Sequence, residues 1–531
     1  MKLTLQFALV LFLQYSITFA QPGQLDLSFN PNGVGAFGGT LPPNYQPEVD
    51  GLVYKSKIYT SGPHKDKIII IGRFTSFNGV PRKYIARLFP DGTVDASFAN
   101  PALTTGYLYC VEILPSGKIL IGGVFTVVGT TAIKNIARLN ADGTVDTSFN
   151  PAPTGTRGTN AEVHALTMQD DGKILIGGVF TLFNGAGNKR LVRLNPDGTQ
   201  DATFNATGTP TGEIRVIALQ KTGANAGKII VGGFFTGFTG YTKNKILRLL
   251  PNGDFDPTFN TTGNGATGGD AVFDVYVRPD DSMYAVGKFT KYNNVDKRSI
   301  VFLNAEGGLV TAFNPGGIGV SNAESSIGTG SGYNIFAILP QPDGKLLIGG
   351  NFTQYNGTNI PKGITRLTDN GLLDDTFLTG AGFTGGTEVY QGKSVVRHIT
   401  LQVDGKILVS GDFTQYNNTD RRMLARIKTA VCGDLAEFTS DNTWINGIAP
   451  TGDSYYTVIS GGVCTISVGA NIEVCELELR AGATLLIEPH ASITIKNRII
   501  NNGTIIVEDS GSLVQINDSS DNSDQGTGTF I

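Results

Sequence analysis

Along residues 21–430, apolar and polar positions alternate in short runs broken by Gly, Asn and Asp. In Val163–Met168 the alternation has period two, the signature of a half-buried strand. Asp171-Gly172 then marks a turn, and Lys173–Phe180 reads as an apolar strand interrupted by Gly177-Gly178. Asn184-Gly185 marks the next turn and Leu191–Asn195 a third strand. Asp197-Gly198 turns into a fourth, Thr199–Asn205. Asn-Gly and Asp-Gly supply the positive φ that tight hairpin turns require. The unit is four antiparallel strands in about 55 residues, the proportions of a propeller blade.

This unit recurs. Gly72-Arg73-Phe74-Thr75 is followed by the same Gly-x-Phe-Thr phrase at Gly123, Gly178, Gly233, Gly287, Gly350 and Gly411. The spacings are 51, 55, 55, 54, 63 and 61 residues. A period of this size denotes a repeat architecture. A second phrase, Asp-x-x-Phe, marks the fourth strand at Asp26, Asp95, Asp146, Asp201, Asp256 and Asp374, with Val310/Phe313 in its place once. Its first copy precedes every Gly-x-Phe-Thr, and the last repeat stops at Leu424–Lys428 without one. Leu25–Asn30 should therefore complete the last unit. The fold class expected is all-β, a seven-bladed β-propeller with four antiparallel strands per blade and the N-terminal strand closing the last blade.

Eight residues before each internal Asp stands an Arg: Arg87–Asp95, Arg138–Asp146, Arg193–Asp201, Arg248–Asp256 and Arg366–Asp374. In the fifth repeat both charges vanish together, as Phe302 and Val310. A three-residue loop with Gly in the left-handed position sets residues eight apart directly across a hairpin. A cross-strand Arg–Asp pair is expected in five blades. Arg426 lacks such a partner, and the closure register assigns it Asp26, 400 positions away. Ion pairs repeated in every blade read as scaffold rather than as acid/base groups, since an active site would be singular.

Asp171-Gly172-Lys173-Ile174-Leu175-Ile176-Gly177-Gly178-Val179-Phe180-Thr181, with Leu191–Thr199 after it, resembles the delta-60 repeat propellers of secreted bacterial proteins. The resemblance spans residues 21–430 and implies a β-propeller in an exported or surface protein, with no settled activity. From residue 431 the phrase disappears. Short alternating runs follow at Thr465–Val468, Cys475–Leu479, Thr484–Ile487, Ser492–Ile495, Thr504–Val507 and Ser512–Ile516. Single strands every 8–12 residues suggest a small β-solenoid-like domain over 431–531, with a small sandwich as the alternative. Ala481–Leu485 and Asn502–Asn517 resemble repeats in Bacteroidota surface proteins, whose type IX secretion uses a further sorting domain. None is legible before Ile531, which suggests a truncated product or a segment of a longer protein.

Met1–Ala20 reads as a secretory signal, with Lys2, an apolar stretch over Leu3–Leu13 and Thr18-Phe19-Ala20 before Gln21. Its apolar run is too short to span a bilayer. Cleavage near Ala20 and a secreted or outer-surface location are expected, with no membrane span and a monomeric state. Gly is 70 of 531 residues, which suits many turns rather than long helices. A net charge of −4 leaves little to neutralise phosphates, so nucleic-acid binding is not expected.

The chemistry-bearing residues are few. Cys110 fills a small strand position, and Cys432–Cys464 is the preferred disulfide among Cys432, Cys464 and Cys475. No Cys/His cluster has zinc-ligand spacing, no carboxylate set has calcium-loop spacing, and no cofactor is expected. None of His64, His164, His398 and His490 has a His or carboxylate partner at ligand spacing, and each reads as structural. The aromatic residues after Phe-Thr, such as Tyr292, Tyr355 and Tyr416, read as packing. The expected function is non-enzymatic binding or display, toward an unidentified surface glycan or protein. The ligand surface is expected at the inter-blade loops Asn314–Gly332, Thr379–Lys393 and Asn260–Asp270. Alternatives are a polysaccharide hydrolase or lyase using acids among Glu162, Glu213, Asp270, Glu324 and Glu388, or a structural spacer.

Overall fold

A computed structural model describes residues 23–30, 51–428, 434–438, 455–515 and 529–530, less 102, 105, 152–156, 188–189, 205–207, 322–333, 343, 378–379, 387–393, 404, 475 and 496–498. The fold is all-β and of propeller type. One three-residue helical turn, Gly223–Asn225, is the helical content among the described residues. Among them no helix is long and apolar enough to cross a membrane. The chain divides into two compact units, Pro22–Thr429 and a second holding Ala430–Ile531.

The first unit contains, among the described residues, seven large three-stranded antiparallel sheets in succession, with smaller sheets of two-residue strands between them. The first is Val53–Ile58, Ile68–Gly72 and Ile85–Leu88. The third is Val163–Met168, Ile174–Gly178 and Leu191–Leu194. The seventh is Val395–Leu401, Ile407–Asp412 and Leu424–Ile427. Each middle strand carries the apolar run that ends in the Gly of Gly-x-Phe-Thr, and it is buried almost throughout. The first strand of each sheet packs on that of the next, and the seventh packs on the first. Between neighbouring sheets lies a cluster of aliphatic and Phe side chains. The one joining sheets seven and one holds Phe29, Leu52, Val53, Phe74, Leu408 and Leu424.

The expected fourth strand is a single bridge. In the third sheet it is Leu194 with Gln200, not a strand over Thr199–Asn205. The cause is Asp201, whose Oδ1 accepts from the backbone N–H and hydroxyl of Thr203 at 2.9 and 2.7 Å. That local hydrogen bonding curls the chain away from the ladder.

The same Asp organises a charged knot. Asp95 Oδ2 accepts from Arg87 Nε at 2.7 Å and from Lys67 Nζ at 2.9 Å. The Arg87 guanidinium lies over Phe98 and donates to the Ala141 carbonyl of the next sheet at 2.6 Å. Arg138, Arg193, Arg248 and Arg426 likewise reach a carbonyl in the following sheet's hairpin. Arg366 lies 2.6 Å from Asp374. The Asp, the Ser or Thr two residues on and the Phe three residues on are thus one device. It satisfies a buried guanidinium and ties each sheet to its successor.

Residues 23–30 enter the seventh sheet. Leu25 bridges Ile427, Asp26 N–H donates to Arg426 O at 2.8 Å, and Arg426 Nε stands 2.7 Å from Asp26 Oδ2. In the fifth sheet Val310 N–H still donates to Phe302 O at 2.9 Å, but the charges are gone. Ser282 stands where the other sheets place Lys, and Phe302 stacks on Tyr284 at 4.5 Å.

The second unit has three parallel sheets. Val463–Ile466, Thr484–Ile487, Thr504–Val507 and Thr529–Phe530 stack in register in one. Asn471–Val474, Ser492–Ile495 and Ser512–Gln515 form another. Alternate residues such as Leu485, Ile487, Ile493 and Ile495 fill its core. Cys464 is a free thiol in that core, so the Cys432–Cys464 bridge is not formed. The strand Val463–Ile466 turns Cys464 inward, and burial pushes its thiol up to about 12. Cys432 and Cys475 lie outside the described residues.

Two predictions follow from the knots. Arg87→Phe alone removes one partner of a buried ion cluster, leaving Asp95 to Lys67 and Ser97, and should cost about 3–5 kcal/mol in urea unfolding. Lys67→Ser, Arg87→Phe and Asp95→Val together, the fifth sheet's solution, should recover most of that loss. The second concerns acid. Burial raises the carboxyls of Asp26 and Asp256, but hydroxyl hydrogen bonds and the facing cations outweigh it and hold both at about 2, below the usual 3.8. Their stabilisation is present above the unfolded value and lost as pH falls through the folded one. The melting temperature should be level above about pH 5 and fall steeply between about 4 and 2.

Candidate functional site: a ring of bulged residues

Every first strand of the seven sheets carries one extra residue relative to its partner. Val163 pairs with Gly178 and Ala165 with Gly177, leaving His164 unopposed. The same register shift leaves Tyr54, Tyr109, Arg215, Phe273, Phe336 and Arg397 unopposed in the other six. A bulge bends its strand and re-aims the extra side chain. All seven residues line one cavity of about 420 Å³.

The glycines of the repeat phrase make this possible. A Cβ on Gly178 would drive into the Glu162 carbonyl, and one on Gly177 would meet Ile214 of the next sheet at 2.6 Å. The second glycine faces a backbone carbonyl or its carbon in all seven sheets. It is the position where the bulged strand comes closest.

The seven side chains touch in sequence, with Phe234 standing between Arg215 and Phe273. Tyr54 and Tyr109 have ring centroids 5.4 Å apart, and Tyr109 stacks on His164 at 4.2 Å. Arg215 Nη1 stands 3.1 Å from His164 Nδ1. Because a guanidinium only donates, Nδ1 accepts and the neutral imidazole carries its proton on Nε2. Nε2 lies 2.8 Å from Glu162 and 3.2 Å from Glu213. Arg215 lies over Phe234, which meets Phe273 at 5.8 Å. Phe273 stacks on Phe336 at 4.8 Å. Arg397 lies over Phe336 at 4.4 Å and over Tyr54 at 5.8 Å, completing the circuit.

One residue further along, Lys55, Asp274 and His398 also line the cavity. Asp274 accepts from the Val275 and Ile338 amides at 3.0 and 3.2 Å, and burial raises its carboxyl. Burial, then the charges of Lys55 and Lys57, hold His398 far below its usual value and so neutral. Burial pushes the Tyr54 and Tyr109 phenols up. The hydrogen bond from His164 lowers Glu162 against its burial.

His164 therefore has carboxylate partners, against expectation. Glu162 precedes it by two residues, and Glu213 comes from the neighbouring first strand, which local spacing does not show. Of the other expected acids, Asp270 pairs with Lys288, while Glu324 and Glu388 lie outside the described residues. So do 322–333 and 387–393, the greater parts of two expected ligand loops. The Arg–Asp pairs lie at the third strands and their hairpins, and none of the twelve lines the cavity. Cys110 is buried, its thiol pushed up to about 12. Tyr292, Tyr355 and Tyr416 are buried and donate to glycine carbonyls. No His/Cys/Asp/Glu group suited to a metal occurs among the described residues.

Sequence reasoning missed both the ring and the Lys of each knot. The signal for the ring is a large aromatic or charged residue 14 positions before the second glycine. It holds in five sheets and is 18 in the two whose first hairpin is longer.

A family model described as a beta-propeller domain of unknown function (DUF5122) matches residues 66–98, 114–149, 169–204, 227–259, 341–377 and 402–429. The fifth sheet, without the charged knot, is outside these matches. No curated protein matches the chain. Among solved structures, the chain is similar to the WD40 beta propeller domain of Doa1, at 14% identity over 74% of this chain and 96% of that one, TM-score 0.41. It is similar to the extracellular domain of the putative one component system BT4673 from B. thetaiotaomicron, at 13% identity over 72% and 38%, TM-score 0.41. It is also similar to PorZ, a surface component of the type-IX secretion system of Porphyromonas gingivalis, at 13% identity over 72% and 48%, TM-score 0.34. The chain spans less than half the length of these last two.

The glycine argument is testable. Gly178→Ala should cost at least about 2 kcal/mol in urea unfolding, because backbone must move to admit the methyl. Gly187→Ala, with open space around it, should change little.

Proposed function

We propose that residues 21–430 form a seven-bladed β-propeller, that 431–531 form a small parallel β-solenoid, and that the protein is an exported, non-enzymatic recognition module. The blade count rests on the seven sheets and on the cyclic packing of their first strands. The solenoid rests on the three parallel sheets. Export rests on the signal-like Met1–Ala20.

One observation carries recognition. Seven repeats that otherwise preserve their residues place seven side chains of mixed chemistry around a single cavity. A purely structural strand position would carry aliphatic residues, as the position before each bulge does with Val53, Leu108, Val163, Ile214, Val272, Ile335 and Val396. Among the described residues, the acids at the ring are all engaged: Glu162 by His164, Glu213 by Arg215, Asp270 by Lys288 and Asp274 by two backbone amides. That favours fixed binding geometry over a carboxylate pair acting on a glycosidic bond, which needs one acid and one base at set separation.

The test is binding of the full chain to a glycan and surface-protein array, with and without calcium. A saturable hit is expected, abolished by Phe336→Ala with Arg397→Gln and retained when Asn314–Gly332 is trimmed. The reverse pattern would move recognition to the loops, and a blank array would leave the spacer alternative.

A further inference from the structure

We propose that the cavity receives a neutral pyranose sugar beside sheets five and six, its hydroxyls held by Asn334 and by the Asp270–Lys288 pair, its C–H groups against Phe273 and Phe336. This rests on the recognition reading above and deepens it by naming the ligand class and its place in the cavity.

An orphaned amide comes first. Asn334 lines the cavity and is only 7% exposed. Its backbone N–H donates to Asn351 Oδ1 at 2.6 Å, and its carbonyl accepts from the Asn351 N–H at 3.1 Å. Its side-chain Oδ1 is buried and accepts no hydrogen bond among the described residues. A buried acceptor left unpaired is costly unless a ligand or a water brings the donor. The repeat register sharpens the point. Two residues before the bulge, sheets three and four place Glu162 and Glu213, which His164 and Arg215 engage. Asn334 holds the same position in sheet six, and the fold supplies its Oδ1 with no donor.

A closed ion pair comes second. Asp270 precedes the first strand of sheet five, Ala271–Val277, and Lys288 ends the second, Met283–Lys288. Lys288 Nζ donates to Asp270 Oδ2, and both residues line the cavity. Their charges cancel, so this corner needs no ionic partner. An ammonium has three protons and a carboxylate about four lone-pair sites, so each keeps capacity after pairing. A sugar hydroxyl donates and accepts at once. One hydroxyl can therefore span the pair while another donates to Asn334.

An apolar wall comes third. The first strands of sheets five and six pack side by side, and Phe273 stacks on Phe336 at 4.8 Å. Phe234 meets Phe273 at 5.8 Å, and all three rings line the cavity. The C–H groups of a pyranose suit such a surface. The volume, about 420 Å³, lies within the range of small-molecule sites. An anion would find Lys288 already paired, and an aromatic hydrocarbon would leave Asn334 Oδ1 without a donor.

The experiment is calorimetric titration of the full chain with the methyl α-glycosides of D-glucose, D-galactose and D-mannose. Cyclohexanol, with the ring size and a single hydroxyl, is the control. At least one glycoside should bind and cyclohexanol should not. Asn334→Leu should weaken that binding at least about tenfold and leave the melting temperature level or higher, because the fold does not satisfy this amide. Asn334→Asp keeps an acceptor oxygen and should restore binding in part. Lys288→Gln should weaken it at least about threefold. An array glycan ending in the same sugar and sharing the Asn334 dependence would make the source a glycan end, and its absence would make it a free sugar.

Cyclohexanol binding as tightly as the glycosides would overturn the ligand class and leave recognition standing. So would an array hit that depends on Phe336 and Arg397 while no glycoside binds. Glycoside binding indifferent to both Asn334→Leu and Lys288→Gln would place the sugar elsewhere and overturn the site. A melting temperature lowered by Asn334→Leu would return the amide to the scaffold and overturn its assignment. A blank array together with silent titrations would overturn the recognition reading as well.

Discussion

The structure depends on one close approach repeated seven times. The bulged first strand of each sheet comes so near its partner that a glycine must stand opposite. That glycine belongs to Gly-x-Phe-Thr, the most conspicuous phrase in the chain. Its bareness admits the bulge. The bulge in turn shifts register, so that residues before it pack between sheets while the extra one faces the cavity. A scaffold constraint and a site are therefore the same local event. The residue at the bulge is released to vary, from Tyr to His to Arg to Phe, and the one after it varies too, with Lys55, Asp274 and His398 among its occupants.

The outer region solves a different problem. Far from the cavity, third strands and their hairpins must be held to the neighbouring sheet without much apolar area. A buried guanidinium does this by reaching a carbonyl across the gap. It brings a desolvation cost that a carboxylate, a hydroxyl-capped turn and an aromatic face together offset. The fifth sheet shows that the fold has a second solution. With Lys, Arg and Asp absent, Tyr284, Phe302 and Phe313 stack instead. The charges come and go as a set because a partial set would leave one of them buried and alone.

Much of this was legible in the sequence. The repeat phrases fixed the order of the sheets, and the eight-residue offset paired Arg with Asp. The orphaned Arg426 found Asp26 because the hairpin geometry is local and constant. The bulge ring was hidden for a physical reason. Hairpins between first and second strands differ in length, so the bulge sits 14 residues from its glycine in some sheets and 18 in others. A side chain repeated in every unit also looks like packing until the cavity shows that the seven meet. Glu213 could not be assigned to His164 from spacing, because sheet-to-sheet contacts bring together residues 49 apart. The fourth strand was overread, because its apolar ends suggested a ladder that the Asp-centred turn cuts short. In the second unit alternation gave the inward faces. The free Cys464 was misjudged because spacing says nothing about which cysteine a parallel strand turns inward.

The junction of Leu25 with Ile427 bears on how the chain reaches this state. The segment made first docks last, since its partner strand emerges some 400 residues later. A growing chain would hold residues 23–30 waiting while sheet after sheet assembles behind them. Until Leu424–Ile427 arrives, Leu25 has no strand to bridge and Asp26 has no guanidinium. Contacts this distant in sequence are slow to form, because a long loop must close before any of them is gained. The ring thus acts as its own completeness check: a chain cut off anywhere before Arg426 leaves Asp26 unclaimed and the circle open.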